Sequence, residues 1–140
     1  MKRLLFGAAA ALVLSTATVS AARSDAIAAI NLNLPTYATT ASSSTIYPRL
    51  GDSISFSVSY PKNLDHYGVR VQVLCYQNGA IVWGTSGPYT LQFGLGGASS
   101  AWLLTNGDAD CVANLYYWSY SGNVQTFNFL AETQFHAYAK

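Results

Sequence analysis

Two stretches of this chain are too rich in β-branched and aromatic residues to make good helices, and they fit each other in one register. Cys111-Val112-Ala113-Asn114-Leu115-Tyr116-Tyr117-Trp118, read with period two, sends Cys111, Ala113, Leu115 and Tyr117 to one face. Val112, Asn114, Tyr116 and Trp118 go to the other. Residues 69–75 answer it. With Cys75 laid antiparallel opposite Cys111, Val73 meets Ala113, Val71 meets Leu115 and Val69 meets Tyr117. On the second face Leu74 meets Val112, Gln72 meets Asn114, and the Arg70 guanidinium meets the Tyr116 ring, pairings that cross-strand neighbours favour.

Beyond this pair the chain announces export. Lys2 and Arg3 precede an apolar run over residues 4–14, and small residues end in Val19-Ser20-Ala21-Ala22. A basic start, a short apolar run and small residues at the cleavage site define a secretory signal peptide over residues 1–21. Cleavage is expected after Ala21, with Ala22 as the alternative. Eleven apolar residues are too few to span a bilayer core of roughly 30 Å, so no membrane anchor is expected after cleavage. The expected location is secreted, extracellular or periplasmic.

Removing Lys2 and Arg3 from seven basic residues leaves five against six acidic, a net charge of about −1. No basic patch is present to hold nucleic acid. The remaining 119 of the 140 residues suffice for one modest domain, expected over residues 46–140 behind a flexible leader at 22–45.

Export also favours a bond between the two cysteines, Cys75 and Cys111. Asn78-Gly79 is a strong two-residue hairpin signal, which makes Gln77 and Ala80 a hydrogen-bonded pair, with Tyr76 opposite Ile81 and Cys75 opposite Val82. Backbone groups of Cys75 then point at that hairpin partner. Toward Cys111 it sits at a non-hydrogen-bonded site, where side chains approach closely enough for a disulfide. Closing a loop of this length stabilises by roughly 4 kcal/mol in the chain-entropy account.

The remaining strands follow in order. Ile30, Leu32 and Leu34 alternate as a short strand, and Ile46-Tyr47-Pro48 suits an edge, since proline cannot donate to a ladder. Over residues 53–60, Ile54, Phe56, Val58 and Tyr60 face in while the intervening serines face out. Residues 62–67 form a polar loop. Tyr89, Leu91, Phe93 and Leu95 alternate as another strand, and Trp102 is expected to plug the core. A three-residue loop at Ser121-Gly122-Asn123 would pair Tyr117 with Phe127, Leu115 with Phe129 and Ala113 with Ala131. The tail past Phe135 is expected to fray, and no helix is expected outside the signal peptide. About seven short strands separated by regular turns make an all-β antiparallel sandwich with one cross-strand disulfide.

Leu50-Gly51-Asp52-Ser53-Ile54-Ser55-Phe56 resembles the turn into strand B of immunoglobulin-like domains, and Asp108-Ala109-Asp110-Cys111-Val112-Ala113 resembles their strand F. The likeness extends to the Ig-like domains of secreted bacterial and phage surface proteins, and implies a binding or surface-interaction role. The chain differs in placing its first cysteine on the third strand and in lacking a tyrosine two residues before Cys111.

Catalytic groups are sparse. The histidines are His66 and His136, and no pair of acids or histidines has metal-ligand spacing. No enzyme, metal or cofactor is expected. Asn106-Gly107-Asp108-Ala109-Asp110 reads as an Asx-Gly turn, without the twelve-residue calcium loop. A small hydrolase would need His66 or His136 beside a carboxylate.

The informative feature is an aromatic outer face. The registers put Trp83, Tyr76, Tyr116 and Trp118 there with Arg70, Gln72 and Asn114, residue types that dominate interface energetics. An extracellular protein or a cell-surface glycan is the expected partner, the second as a carbohydrate-binding module. Alternatively, residues 30–34 or the tail fold over this face and make it core.

Overall fold

The computed structural model describes residues 27–33 and 48–140. The expected signal peptide and its cleavage site, together with Leu34, Ile46 and Tyr47, lie outside the described residues.

Among the described residues, seven strands form two antiparallel sheets. Strands β1 (Ala29–Asn33), β2 (Ser53–Ser59) and β5 (Phe93–Gly94) make one, in the order β1-β2-β5. Strands β3 (Arg70–Gln77), β4 (Ala80–Pro88), β6 (Ala109–Ser121) and β7 (Val124–Ala137) make the other, in the order β4-β3-β6-β7. A 3-10 turn, Lys62–Tyr67, and a short helix α1, Ala101–Thr105, lie in the connections.

The β3–β6 register is the one the residue pattern dictates: Cys75↔Cys111, Val73↔Ala113 and Val71↔Leu115 on the inner face, Leu74↔Val112, Gln72↔Asn114 and Arg70↔Tyr116 on the outer. Cys75 and Cys111 are disulfide-bonded with Cα atoms 4.1 Å apart, the close approach of a non-hydrogen-bonded pair. On β2, Ile54 and Phe56 are buried and Val58 partly so, while Ser53, Ser57 and Ser59 are exposed. Inner-face side chains of both sheets meet in one core, with Phe56 5.9 Å from Phe93 and 6.4 Å from Phe135 between ring centroids. Trp102 is fully buried, its indole N–H donating to the Gly107 carbonyl at 2.6 Å, as a core plug should. Gly96 has φ +84°, and a Cβ there would lie 2.1 Å from Leu50 Cδ1.

Five expectations are corrected. A β-bulge between Cys75 and Tyr76 sets Trp83, not Val82, opposite Cys75, because the extra residue lets both apolar side chains turn inward. The β6–β7 turn has two residues, Gly122-Asn123, so Trp118 faces Phe127 and Tyr116 faces Phe129. A second bulge, between Leu115 and Tyr116, shifts the register again, so Leu115 faces Ala131 instead of Phe129 and Ala113 faces Thr133 instead of Ala131. The strand expected at Tyr89–Leu95 shrinks to Phe93–Gly94, since the Leu91 amide bonds back to the Pro88 carbonyl at 3.1 Å as a turn. Helix α1 was not anticipated: Ser100 caps its start and left-handed Asn106 ends it, a single turn too short to show periodicity. The tail is held rather than frayed, as Ala137 is fully buried and Tyr138 exchanges backbone bonds with Pro48 and Leu50 at 2.9 Å each.

Candidate functional site

On the outer face of the four-stranded sheet, cross-strand partners form rows because directly opposite residues share a face. One row is Pro88, Arg70, Tyr116, Phe129, and the next inward is Ser86, Gln72, Asn114, Glu132. Gly84, Leu74, Val112 and Gln134 follow, then Ile81, Tyr76, Asp110 and His136. Past Arg70, β3 ends and the β6–β7 ribbon continues alone, adding Trp118 beside Phe127 and Tyr120 beside Gln125.

This geometry divides the expected site residues. Arg70, Tyr116 and Trp118 lie together at one end, with Gln72 and Asn114 adjoining. Tyr76 stands six residues along β3, about 20 Å away. Trp83 leaves the face and packs against the core, and Gly84 takes the position opposite Leu74. Two residues join that sequence reasoning had turned inward, Phe127 and Phe129. The signal that could have placed them is the pair Gly122-Asn123: Gly122 has φ +58°, and glycine at the first position of a two-residue loop suits a hairpin turn.

The aromatic end is a packed cluster. Tyr116 stacks on Phe127 at 4.7 Å with planes 23° apart, and Trp118 meets Tyr116 and Phe127 edge-on at 6.0 and 5.3 Å. Tyr116 is thereby buried, while Phe129 and Tyr120 stay 54 % and 69 % exposed. Among the described residues no element covers this end. Residues 30–33 lie in β1, which pairs with β2 in the opposite sheet, and the tail continues β7, so neither folds over it.

A second cluster lies at the far end of the same sheet. His136 sits between two carboxylates, with Nδ1 2.8 Å from Asp110 Oδ1 and Nε2 3.4 Å from Asp108 Oδ2. Asp108 Oδ1 also accepts the Ala139 amide at 2.8 Å. These groups border a pocket of about 480 Å³ with Tyr76, Gln77 and Thr105. The Asp110 hydrogen bond holds the imidazole pKa above its ordinary 6.5; burial opposes it less strongly, and the Asp108 hydrogen bond adds a smaller upward push. The Ala139 amide, then His136, holds the Asp108 carboxyl below its ordinary 3.8. His136 thus has the neighbouring carboxylate that a small hydrolase would need, but when protonated, with a carboxylate on each ring nitrogen, it offers no lone pair to a substrate proton and acts as a clasp. The two carboxylates flank opposite nitrogens, and among the described residues no cluster of His, Cys, Asp and Glu is built to hold a metal ion. His66 lies elsewhere, its ring 3.9 Å from that of Tyr67.

Compared with protein-family models, curated proteins and solved structures, the chain matches none.

Proposed function

We propose that this chain is an exported, Ig-like β-sandwich module that binds an extracellular protein through the aromatic end of its four-stranded sheet. The observation that carries the reading is the cluster of Tyr116, Trp118, Phe127 and Phe129 on an outer face that no described element covers. Monomeric proteins rarely leave such contiguous apolar surface facing water. Arg70, Gln72 and Asn114 border the cluster and would fix the partner's orientation, with the aromatics supplying desolvation. Export rests on the signal-peptide pattern, and the intramolecular disulfide suits an oxidising compartment.

Protein is favoured over sugar by ring geometry. Pyranose stacking wants flat, outward-facing rings, whereas Trp118 stands 89° and 75° from its neighbours, Tyr116 is buried, and Phe127 turns one of its faces to Tyr116. The test is tryptophan fluorescence of the mature, oxidised protein, titrated with extracellular protein fractions and separately with cell-wall polysaccharides. We expect protein to shift the emission, Trp118→Ala to abolish the shift, and Trp83→Ala to preserve it. A shift with polysaccharide alone, or one that survives Trp118→Ala, refutes the reading.

A further inference from the structure

The sheet edges tell a story separate from the aromatic face. Edge strands invite pairing with other chains, and proteins guard them with shortness, bulges, proline or charge. Here β1 has five residues and β5 two, while β4 carries a bulge, Gly84, Gly87 and a terminal Pro88. Strand β7 is fourteen residues long. Its C-terminal half is guarded by Glu132 and His136, and Arg49 bridges Tyr138 just beyond it. Its N-terminal half, Val124-Gln125-Thr126-Phe127-Asn128-Phe129-Leu130-Ala131, has no charge, no proline and no glycine.

That half is also the part least supported by its own sheet. Strand β3 stops at Arg70↔Tyr116, so the hairpin beyond is two strands wide, and two strands alone are marginal in water. Ser121↔Val124 closes a two-residue turn, which makes Val124, Thr126 and Asn128 the residues that bond back to β6. By alternation the N–H and C=O groups of Gln125, Phe127 and Phe129 point away from β6, where no described strand pairs with them.

We propose that this edge pairs antiparallel with the same edge of a second copy, joining two four-stranded sheets into one of eight. Antiparallel pairing of a strand with its twin is two-fold by construction, the commonest symmetry of soluble assemblies. Self-pairing opposes like with like, so it tolerates only an uncharged segment, and this one is uncharged. Centred on Phe127, the pairing sets Phe129 against the second copy's Gln125 and leaves both Glu132 carboxylates past the ends of the paired segment. The two-fold axis is perpendicular to the sheet, so both aromatic clusters stay on one face.

The test is sedimentation equilibrium of the mature, oxidised protein, combined with amide hydrogen exchange at low and high concentration. We expect a monomer–dimer equilibrium in which the Gln125, Phe127 and Phe129 amides become protected as concentration rises, while Thr126 and Asn128 are protected throughout. Gln125→Pro should weaken association by roughly tenfold or more, since both symmetric copies of the blocked amide are lost, and should leave the β6–β7 ladder intact. Phe129→Lys, which leaves the backbone alone and adds an edge charge, should do the same. A protein monomeric at every concentration overturns the proposal. So does a dimer whose three outward amides stay fast, which would be joined through its aromatic face. Open-ended assembly, or protection of those amides only by a different extracellular protein, also overturns it.

Discussion

His136 shows how much a single residue can hold at the end of this sandwich. Its ring ties the end of β7 to Asp110 on β6, and to Asp108 just before it, while Asp108 fastens the Ala139 amide. The pKa of His136 is raised, so the stability it contributes is full below 6.5 and is lost as pH climbs through the raised value. The pKa of Asp108 is lowered, so its contribution is full above 3.8 and is lost as pH falls through the lowered value. Melting temperature measured across pH should therefore form a plateau between those limits and fall by a few degrees on either side. In His136→Gln the alkaline fall should vanish and the acidic one persist, because the Ala139 amide still bonds Asp108. An alkaline fall unchanged in that variant would remove His136 from the account. Gly96 makes a different residue-scale point. Its left-handed φ and the crowding by Leu50 predict that Gly96→Ala costs about 1–3 kcal/mol in urea unfolding, and a neutral effect would mean that the Leu50 side chain yields freely.

Among the elements, β3 and β6 carry the frame, and their disulfide closes a 36-residue separation. Cys75→Ala with Cys111→Ala should lower unfolding free energy by roughly 4 kcal/mol, read as a lower urea midpoint with a somewhat steeper slope, since the released unfolded chain exposes more surface. A midpoint shifted only slightly would mean that the unfolded chain is already constrained there. This pair of strands was legible because apolar, amide and cation–aromatic partners all agreed on one register, and the Asn78-Gly79 turn fixed which groups faced which neighbour. The bulges at Cys75/Tyr76 and Leu115/Tyr116 were not legible. A bulge inserts one residue without altering hydropathy, so a period-two reading carried across it turns every later side chain to the wrong face. Trp83 was thus expected outside and lies against the core, while Phe127 and Phe129 were expected inside and lie on the outer face for a different reason, a turn of two residues, Gly122-Asn123, instead of three. The aromatic end was half visible, through Arg70 and Tyr116, whose β3–β6 ladder has no bulge, and through Trp118, which shares the Tyr116 face of β6 by alternation.

At the scale of the whole molecule, two sheets must be joined at their ends as well as packed across their faces. The disulfide lies within one sheet and does nothing for this. The joint at the clasp end is the meeting of the residues leading into β2 with the residues leaving β7: the Tyr138 amide donates to the Pro48 carbonyl, the Leu50 amide to the Tyr138 carbonyl, and Arg49 bridges Tyr138 in parallel. Pro48 and Leu50 are buried beneath it, and Leu50 in turn lies against Gly96 in the loop that carries the Trp102 plug. Ending the chain after Ala137 would cut both backbone bonds and free Asp108 from the Ala139 amide while leaving every β6–β7 pair in place. Net contributions of about 0.5–1.5 kcal/mol for each of the two backbone hydrogen bonds predict a loss of about 1–3 kcal/mol and a melting temperature lower by several degrees. Hydrogen exchange should quicken at Leu50 and in the first residues of β2 but not at Val71 or Val73, because the loss is confined to the joint. If the shortened chain melts where the full one does, face-to-face packing of the sheets alone holds the sandwich closed, and the tail is a bystander.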